Sequence, residues 1–198
     1  AEKVPSRACV GDTLYGGTDF GAYLFSYDTT SGVTTLLGQP AGAKSTVDAL
    51  LAGEDGLLYG TCGSGAVLFV FDPSQSWDPG GDEGDNPRYF VVPGFETHAY
   101  AMAWGPDDQV YISTYVEGRI YSYDPENKEI AEDYPGGGKG IYSMVRGSDG
   151  KLYAGTEFGD ADEMDHELLV RHEDGTYTSI PWVCGWEDAV TALACGVN

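Results

Sequence analysis

The stretch Asp149-Gly-Lys-Leu-Tyr-Ala-Gly-Thr156 decides the fold, because its pattern occurs four times along the chain. Each copy is a turn rich in Asp and Gly, followed by a segment in which apolar residues alternate with small or polar ones. This alternation is typical of a β-strand that begins after a tight turn. The other three copies are Gly11–Thr18, Asp55–Thr61 and Asp108–Thr114.

A second predicted strand follows each copy, and in three repeats it ends in an aromatic residue and an acid. These pairs are Tyr27-Asp28, Phe71-Asp72 and Tyr123-Asp124, and each aromatic lies 12 residues after the repeated tyrosine. In the fourth repeat the aromatic position is matched to His172, which lies 19 residues after Tyr153. This match predicts an insertion of seven residues in the fourth repeat.

Each repeat continues into a third strand and then a fourth, apolar strand that leads to the next turn. The repeated tyrosines are 44, 52 and 42 residues apart, and four short strands at this spacing are the signature of a β-propeller blade. The pattern Asp-Gly-x-Leu-Tyr-x-Gly-Thr, followed by Leu-Phe-x-Tyr-Asp, resembles the blades of the PQQ-like, NHL-like and lactonase-like propeller group. The resemblance covers residues 6–196 and implies an all-β architecture rather than a function. The ligand set of the PQQ enzymes is not evident, so the resemblance brings no cofactor.

The predicted domain is a single β-propeller over residues 1–198, with strands A to D running outward from a central channel. The blades are predicted at 5–40, 47–95, 99–136 and 141–184, and an extra inner-type strand at 190–195. Five A-like strands then accompany four each of the B, C and D strands. Two alternatives follow: a closed four-bladed ring, or half of a larger ring completed by a second copy of the chain.

The charge of the chain excludes whole classes of partner. With 32 acidic and 10 basic residues the formal net charge is -22, whereas nucleic-acid phosphates are held by clustered Lys and Arg. An anionic membrane surface is disfavoured for the same reason, and no apolar stretch approaches the ~20 residues of a spanning helix. The start at Ala1-Glu2-Lys3-Val4 suits a mature, secreted chain. The alternative is the cytoplasm of a halophile, where an acidic excess is also expected.

The four cysteines contain no CxxC pair, so a zinc ribbon or a thioredoxin-type site has little support. Cys9 and Cys195 occupy similar places in the two terminal A-like strands. A disulfide between them would join the ends of the ring. The alternative is that both are small, buried apolar thiols.

The candidate ligand site is the channel mouth that the D–A connections approach. Convergent polar groups at a concave end of a fold are the default hypothesis for a binding site. The residues expected there are Lys44, Ser45, Glu96, Thr97, His98, Tyr100, Lys139, Trp186, Glu187 and Asp188. Trp186, Tyr100, Tyr142 and Phe158 are the candidate aromatic contacts.

Two loops are long and acidic. Residues 157–167 fall in the B–C loop of the fourth repeat, and Asp160, Asp162 and Asp165 there have the oxygen-rich character that calcium favours. Their spacing departs from that of an EF-hand, so a solvated acidic loop is the alternative. The second loop, residues 74–87, lies in a C–D connection away from the mouth. Its composition suits a flexible surface loop, with Trp77 anchoring it to the blade.

Three functions fit these residues. The first is recognition of a carbohydrate or another small molecule, because aromatic faces stack on sugar rings. The second is a lyase-like enzyme in which His98 acts as a general base. The third is a protein-interaction scaffold. The sequence contains no G-x-S-x-G elbow and no H-E-x-x-H motif, so hydrolase chemistry has no support.

Overall fold

The computed structural model describes residues 6–94, 96–137, 140–156, 167–181 and 193–195. Every regular element in those residues is a strand, and the strands form four antiparallel sheets of four. The first two sheets contain β1 (Ser6–Val10), β2 (Thr13–Gly17), β3 (Leu24–Asp28), β4 (Thr34–Gly38) and β5 (Val47–Ala52), β6 (Leu58–Cys62), β7 (Val67–Phe71), β8 (Arg88–Val91). The last two contain β9 (Ala101–Trp104), β10 (Val110–Ser113), β11 (Ile120–Asp124), β12 (Glu129–Tyr134) and β13 (Ile141–Arg146), β14 (Leu152–Thr156), β15 (Glu167–Arg171), β16 (Tyr177–Pro181). The predicted all-β chain with four four-stranded blades is confirmed.

Each sheet is built from four consecutive strands in the order A, B, C and D. The sheets cover residues 6–38, 47–91, 101–134 and 141–181, inside the predicted blade limits. Of the predicted extra strand at 190–195, only 193–195 are among the described residues, and they form no strand there. Completion of the ring by a second copy stays a prediction.

A tyrosine hydrogen bond explains the repeated motif. The hydroxyl of Tyr59 donates to Asp55 Oδ2 at 2.6 Å, and Tyr111 and Tyr153 make the same bond to Asp107 and Asp149. A glycine two residues before each of these acids lies against the tyrosine ring. A Cβ at Gly105, for example, would come within 2.2 Å of Tyr111. The motif is therefore Gly-x-Asp-x-x-x-Tyr, in which the acid and the glycine both fix the ring.

This geometry corrects the sequence alignment of the third repeat. Asp107, not Asp108, is the equivalent of Asp55 and Asp149, because it accepts the tyrosine hydrogen bond. Asp108 instead takes the place of Gly56 and Gly150, and it shares their left-handed backbone with a φ of 59°. Asp is one of the few residues besides Gly that tolerate this conformation.

The register of the fourth sheet corrects the placement of His172. Leu152 pairs with Arg171, just as Leu58 pairs with Phe71 in the second sheet. Arg171 is therefore the equivalent of the repeated aromatic, and the fourth repeat carries six extra residues rather than seven. His172 follows the strand, where its Nε2 lies 2.9 Å from Thr178 Oγ1.

The chain divides into two compact units, residues 1–99 and 100–198, and each has a core between its two sheets. In the first unit the inner strands β1 and β5 contact each other, and Leu24, Val47 and Phe69 are completely buried. In the second unit β9 contacts β13 around Tyr111, Ile120 and Ile141. Burial of alternating side chains from facing strands explains the period of two in the sequence.

A charged network lies between the two sheets of the second unit. Arg171 makes two hydrogen bonds to Asp133, at 2.8 and 3.0 Å, and its guanidinium carbon lies 4.6 Å from the centre of the Tyr111 ring. Tyr177 donates to the same Asp133 carboxylate at 2.5 Å. The Arg171 side chain is only 8% exposed, so its charge depends on these partners.

The predicted Cys9–Cys195 disulfide is absent from the structure, in which both residues are described and Cys9 is an exposed free thiol. Cys9 and Cys195 are both exposed, so the alternative of buried thiols is wrong as well. Cys62 is also a free thiol, buried in the first unit. No helix in the described part of the chain is long and apolar enough to cross a membrane.

Candidate functional site

The D–A and B–C loops of the first unit meet at one end of its sheets. Gly21 donates a backbone hydrogen bond to Ser45 at 2.9 Å, and Asp19 bridges to Thr46. Around the second sheet, Gly65 donates to the carbonyl of Thr97 at 3.1 Å. We call the loops 18–23, 39–46 and 63–66, with the described residues 92–94 and 96–99, the entrance loops. They hold the predicted site residues of this unit.

The structure places five of the predicted site residues in the entrance loops. Lys44 Nζ donates to the carbonyl of Ser64 at 3.2 Å, so this lysine ties two loops together. Glu96 is buried, at 4% exposure, whereas Thr97 is exposed. Ser45 contributes its carbonyl to the loop contact described above, and His98 makes the ion pair described next. Lys139, Trp186, Glu187, Asp188 and Phe158 lie outside the described residues, as do the calcium candidates Asp160, Asp162 and Asp165.

The side chains of Asp48 and His98 form a pair at this end of the first unit. His98 Nδ1 lies 3.1 Å from Asp48 Oδ2, and the side chains are 27% and 2% exposed. The backbone amide of Ala99 donates to the same Oδ2 at 3.3 Å. A buried carboxylate thus fixes the orientation of a half-exposed imidazole. This is the arrangement in which an acid orients a histidine base.

Sequence reasoning identified His98 but missed Asp48, its partner fifty residues earlier. Asp48 is the extra residue of a β-bulge, because Val47 pairs with Cys62 and Ala49 pairs with Thr61. A bulge turns a side chain away from the regular alternation, and bulges are frequent beside functional sites. The available signal was a lone acid inside the apolar strand Val47–Ala52.

Burial raises the pKa of Asp48 to about 6, although His98 and the Ala99 amide pull it downward. Burial also raises the pKa of the Cys62 thiol. The negative charge of Asp48 raises this pKa further, and the positive charge of Lys44 lowers it. A Cβ at Gly63 would come within 2.3 Å of His98 Nδ1, so glycine is required where the backbone passes the ring. Asp48, Lys44, Cys62 and His98 therefore form one coupled cluster.

We expect the Asp48→Asn variant to reveal this raised pKa. The folded-state pKa of about 6 exceeds the unfolded value of about 3.9, so the native carboxyl favours its protonated form. Asp48 therefore contributes stability below pH 4 that is lost as the pH rises through about 6. The unfolding free energy of the variant, relative to that of wild type, should therefore be higher at pH 7.5 than at pH 4 by on the order of 2 kcal/mol. Urea unfolding at both pH values measures the change, and a difference independent of pH would contradict it.

A tyrosine cluster lies at the corresponding end of the second unit. Tyr100 and Tyr142 stack with ring centres 4.9 Å apart and planes at 13°, and the Tyr115 ring lies edge-on at 5.8 Å from Tyr142. All three side chains are half-buried. Tyr100 and Tyr142 were predicted as ligand contacts. Tyr115 was missed, because it belongs to a B–C loop that sequence spacing does not connect to them.

A glycine in the backbone leaves room for two rings of the tyrosine cluster. A Cβ at Gly140 would come within 2.8 Å of the Tyr115 ring and 3.2 Å of the Tyr142 ring. Tyr142 is the bulge residue of β13, between Ile141 and Ser143, and so is the counterpart of Asp48 in its own sheet. The position that carries a carboxylate in one sheet thus carries an aromatic ring in another.

The described residues contain no group of three or more His, Cys, Asp or Glu side chains placed to hold a metal ion.

Comparison with known proteins supports the fold. No family model matches the sequence, and no curated protein matches it either. Among solved structures, the chain is similar to the extracellular domain of BT4673 from B. thetaiotaomicron, with 24% identity and a TM-score of 0.67 over 90% of this chain. It is also similar to a catalytically inactive histidine-to-alanine variant of virginiamycin B lyase from Staphylococcus aureus with quinupristin, with 14% identity and a TM-score of 0.78 over 100% of this chain. A third match is U3-55K, with 11% identity and a TM-score of 0.70 over 95% of this chain.

The chain spans only part of each of these proteins, namely 22%, 61% and 54% of their lengths. At such low identity the likeness establishes architecture alone. The repeats, the four sheets and these matches agree that the chain is a β-propeller repeat protein.

Proposed function

We propose that this chain is a ligand-recognition propeller that binds a neutral carbohydrate or a similar small molecule on its tyrosine cluster. The observation that carries the proposal is the stacked pair Tyr100 and Tyr142, half-buried beside Tyr115. Flat aromatic faces that are fixed before binding offer apolar area at little entropic cost, while their hydroxyls bond to polar groups.

The charge of the chain supports a neutral ligand. A formal net charge of -22 repels anionic polymers, whereas a neutral sugar meets no such barrier. We also propose an extracytoplasmic location, in keeping with the extracellular domain among the structural neighbours. Calcium in the 157–167 loop and completion of the ring by a second copy remain proposals.

The Tyr142→Ala variant is expected to bind neutral oligosaccharides about ten-fold more weakly, because it removes one face of the stacked pair. Calorimetry with a panel of neutral and uronate-containing oligosaccharides measures the loss. Tyr142→Phe, which keeps the ring, should retain most of the affinity. Tyr27→Ala, an exposed aromatic of the first unit, is the matched control. Equal affinity in Tyr142→Ala and wild type would remove the tyrosine cluster as the site.

The Asp48–His98 pair favours a second candidate function, a lyase that uses His98 as general base. Among the structural neighbours is a lyase described as catalytically inactive after a histidine-to-alanine change. In this chain His98 Nδ1 faces Asp48, so a substrate would be approached through Nε2. The imidazole would take the proton from the carbon next to a carboxyl or carbonyl group. The released electron pair forms a C=C bond to the adjacent carbon, and the bond from that carbon to its oxygen substituent breaks. The oxygen leaves with the bonding electrons, as a carboxylate or as an alkoxide that takes a proton from water.

A further inference from the structure

A second concave surface lies in the first unit, and none of the residues proposed above belongs to it. We call it the Trp77 cleft. It is a space of about 480 Å³ between the B, C and D strands of the first sheet and the end of strand C of the second. Ligand sites of small molecules fall within about 300–1,000 Å³. The cleft is therefore large enough to hold one or two sugar rings.

The floor of the Trp77 cleft is a row of hydroxyl groups. Tyr15 pairs with Ser26 across β2 and β3, and Ser26 pairs with Thr35 across β3 and β4. Directly paired residues of an antiparallel sheet project to the same face, about 5 Å apart. All three residues line the cleft. Ser26 and Thr35 therefore place two hydroxyls side by side on the face that lines the cleft, next to the Tyr15 side chain.

The wall of the cleft is aromatic. The Trp77 ring lies edge-on to Phe71 with centres 5.2 Å apart, and Phe71 lies 6.1 Å from Tyr15. A Cβ at Gly38 would come within 3.1 Å of the indole nitrogen, so a glycine leaves room for the ring there. Trp77 is half-buried and packs against the core of the unit, as the sequence predicted for an anchoring tryptophan.

The loop that carries Trp77 is fixed by a buried asparagine. Asn86 Nδ2 donates to the carbonyls of Asp72 and Ser76, and its Oδ1 accepts from the Asp72 amide at 2.8 Å. Two backbone hydrogen bonds also join Asp78 and Asn86. The segment from Trp77 to Asn86, part of the loop expected to be a flexible surface loop, is thus held by hydrogen bonds at both of its ends. The indole is positioned before any ligand arrives.

The second unit carries different residues at the positions that correspond to two cleft residues, Phe71 and Leu37. Phe71 is the register equivalent of Arg171, and Leu37 is that of Asp133. In the second unit these residues and Tyr111 form the charged network that occupies the space between the sheets. In the first unit both charges are replaced by apolar groups. The corresponding space between the sheets of the first unit therefore stays open, as a cleft with aromatic and hydroxyl walls.

We propose that the Trp77 cleft binds a short neutral saccharide, with a ring face on the indole and hydroxyls on Ser26 and Thr35. Among the described residues that line the cleft, none is basic and only Asp28 is charged, which disfavours an anionic ligand. Asp28 accepts backbone hydrogen bonds from Thr30 and Ser31, so its carboxylate is held in place as an acceptor. An apolar face combined with polar edges is the chemistry of a sugar ring.

Calorimetry of the full chain with maltose, cellobiose, lactose and mannobiose tests this site. Trp77→Ala is expected to weaken binding of the best of these probes about ten-fold. Thr35→Val, which keeps the shape and removes the hydroxyl, should weaken it several-fold with no change in unfolding temperature. Thr34→Val is the matched control, because residue 34 projects to the opposite face of β4.

The outcomes separate this inference from the proposed function. Loss of binding in Trp77→Ala and Thr35→Val, with Thr34→Val and Tyr142→Ala unaffected, supports the cleft. Loss in Tyr142→Ala alone overturns the cleft and leaves the tyrosine cluster standing. Wild-type affinity in Thr35→Val, or no binding of any probe, overturns the cleft as well.

Discussion

The Asp133→Ala variant is expected to lose about 3 kcal/mol of unfolding free energy. It leaves the guanidinium of Arg171, whose side chain is 8% exposed, without its two-point partner, and it removes the acceptor of Tyr177. Asp107 lies 3.7 Å from Arg171 and compensates for part of the loss. Urea unfolding at pH 7 measures the effect.

Glu132→Ala is the matched control for this prediction. Glu132 is the neighbour of Asp133 on β12, but its side chain pairs with Arg119 on the exposed face of the sheet, where solvent screens the pair. Its removal should leave stability nearly unchanged. Equal losses in the two variants would show that the position along β12, rather than the buried charge, matters.

For the elimination reaction, His98→Ala is expected to lower turnover by about 10²–10⁴-fold, because it removes the base that takes the substrate proton. Two probes are used, oligogalacturonate and quinupristin, and turnover of both is assayed by the absorbance of the new double bond. Binding of either probe should change little, so the loss should appear in kcat rather than KM.

Two further variants isolate the roles in this pair. Asp48→Asn keeps the shape of the positioning residue and should move the pH profile of kcat as well as lower it, which a purely structural role would not do. His172→Ala is the histidine control, since that imidazole bonds only to Thr178 among the contacts described for it. Absence of turnover in wild type with both probes would leave ligand recognition as the function.

The candidate site was only partly predictable. His98, Lys44, Tyr100 and Tyr142 were identified because they lie in segments whose position follows from the repeat. Asp48 and Tyr115 were missed, since a bulge and a loop bring them to their partners. Trp77 was expected only to anchor a surface loop, and its contact with Phe71 and the open space beside it emerge from packing between two sheets.

By itself the sequence determined the blades, because strand alternation and turns are local and recur in all four repeats, as the Gly-x-Asp-x-x-x-Tyr contact does in three of them. It could not determine which polar residues meet. Residues 48 and 98 come together only because the loop after β8 returns across the second sheet to the bulge of β5. Whether the space beside position 71 or 171 is open or filled depends on the residues opposite. Such contacts join residues far apart in the chain, so no local periodicity records them. Tertiary packing alone decided the ion pair, the tyrosine cluster and the cleft.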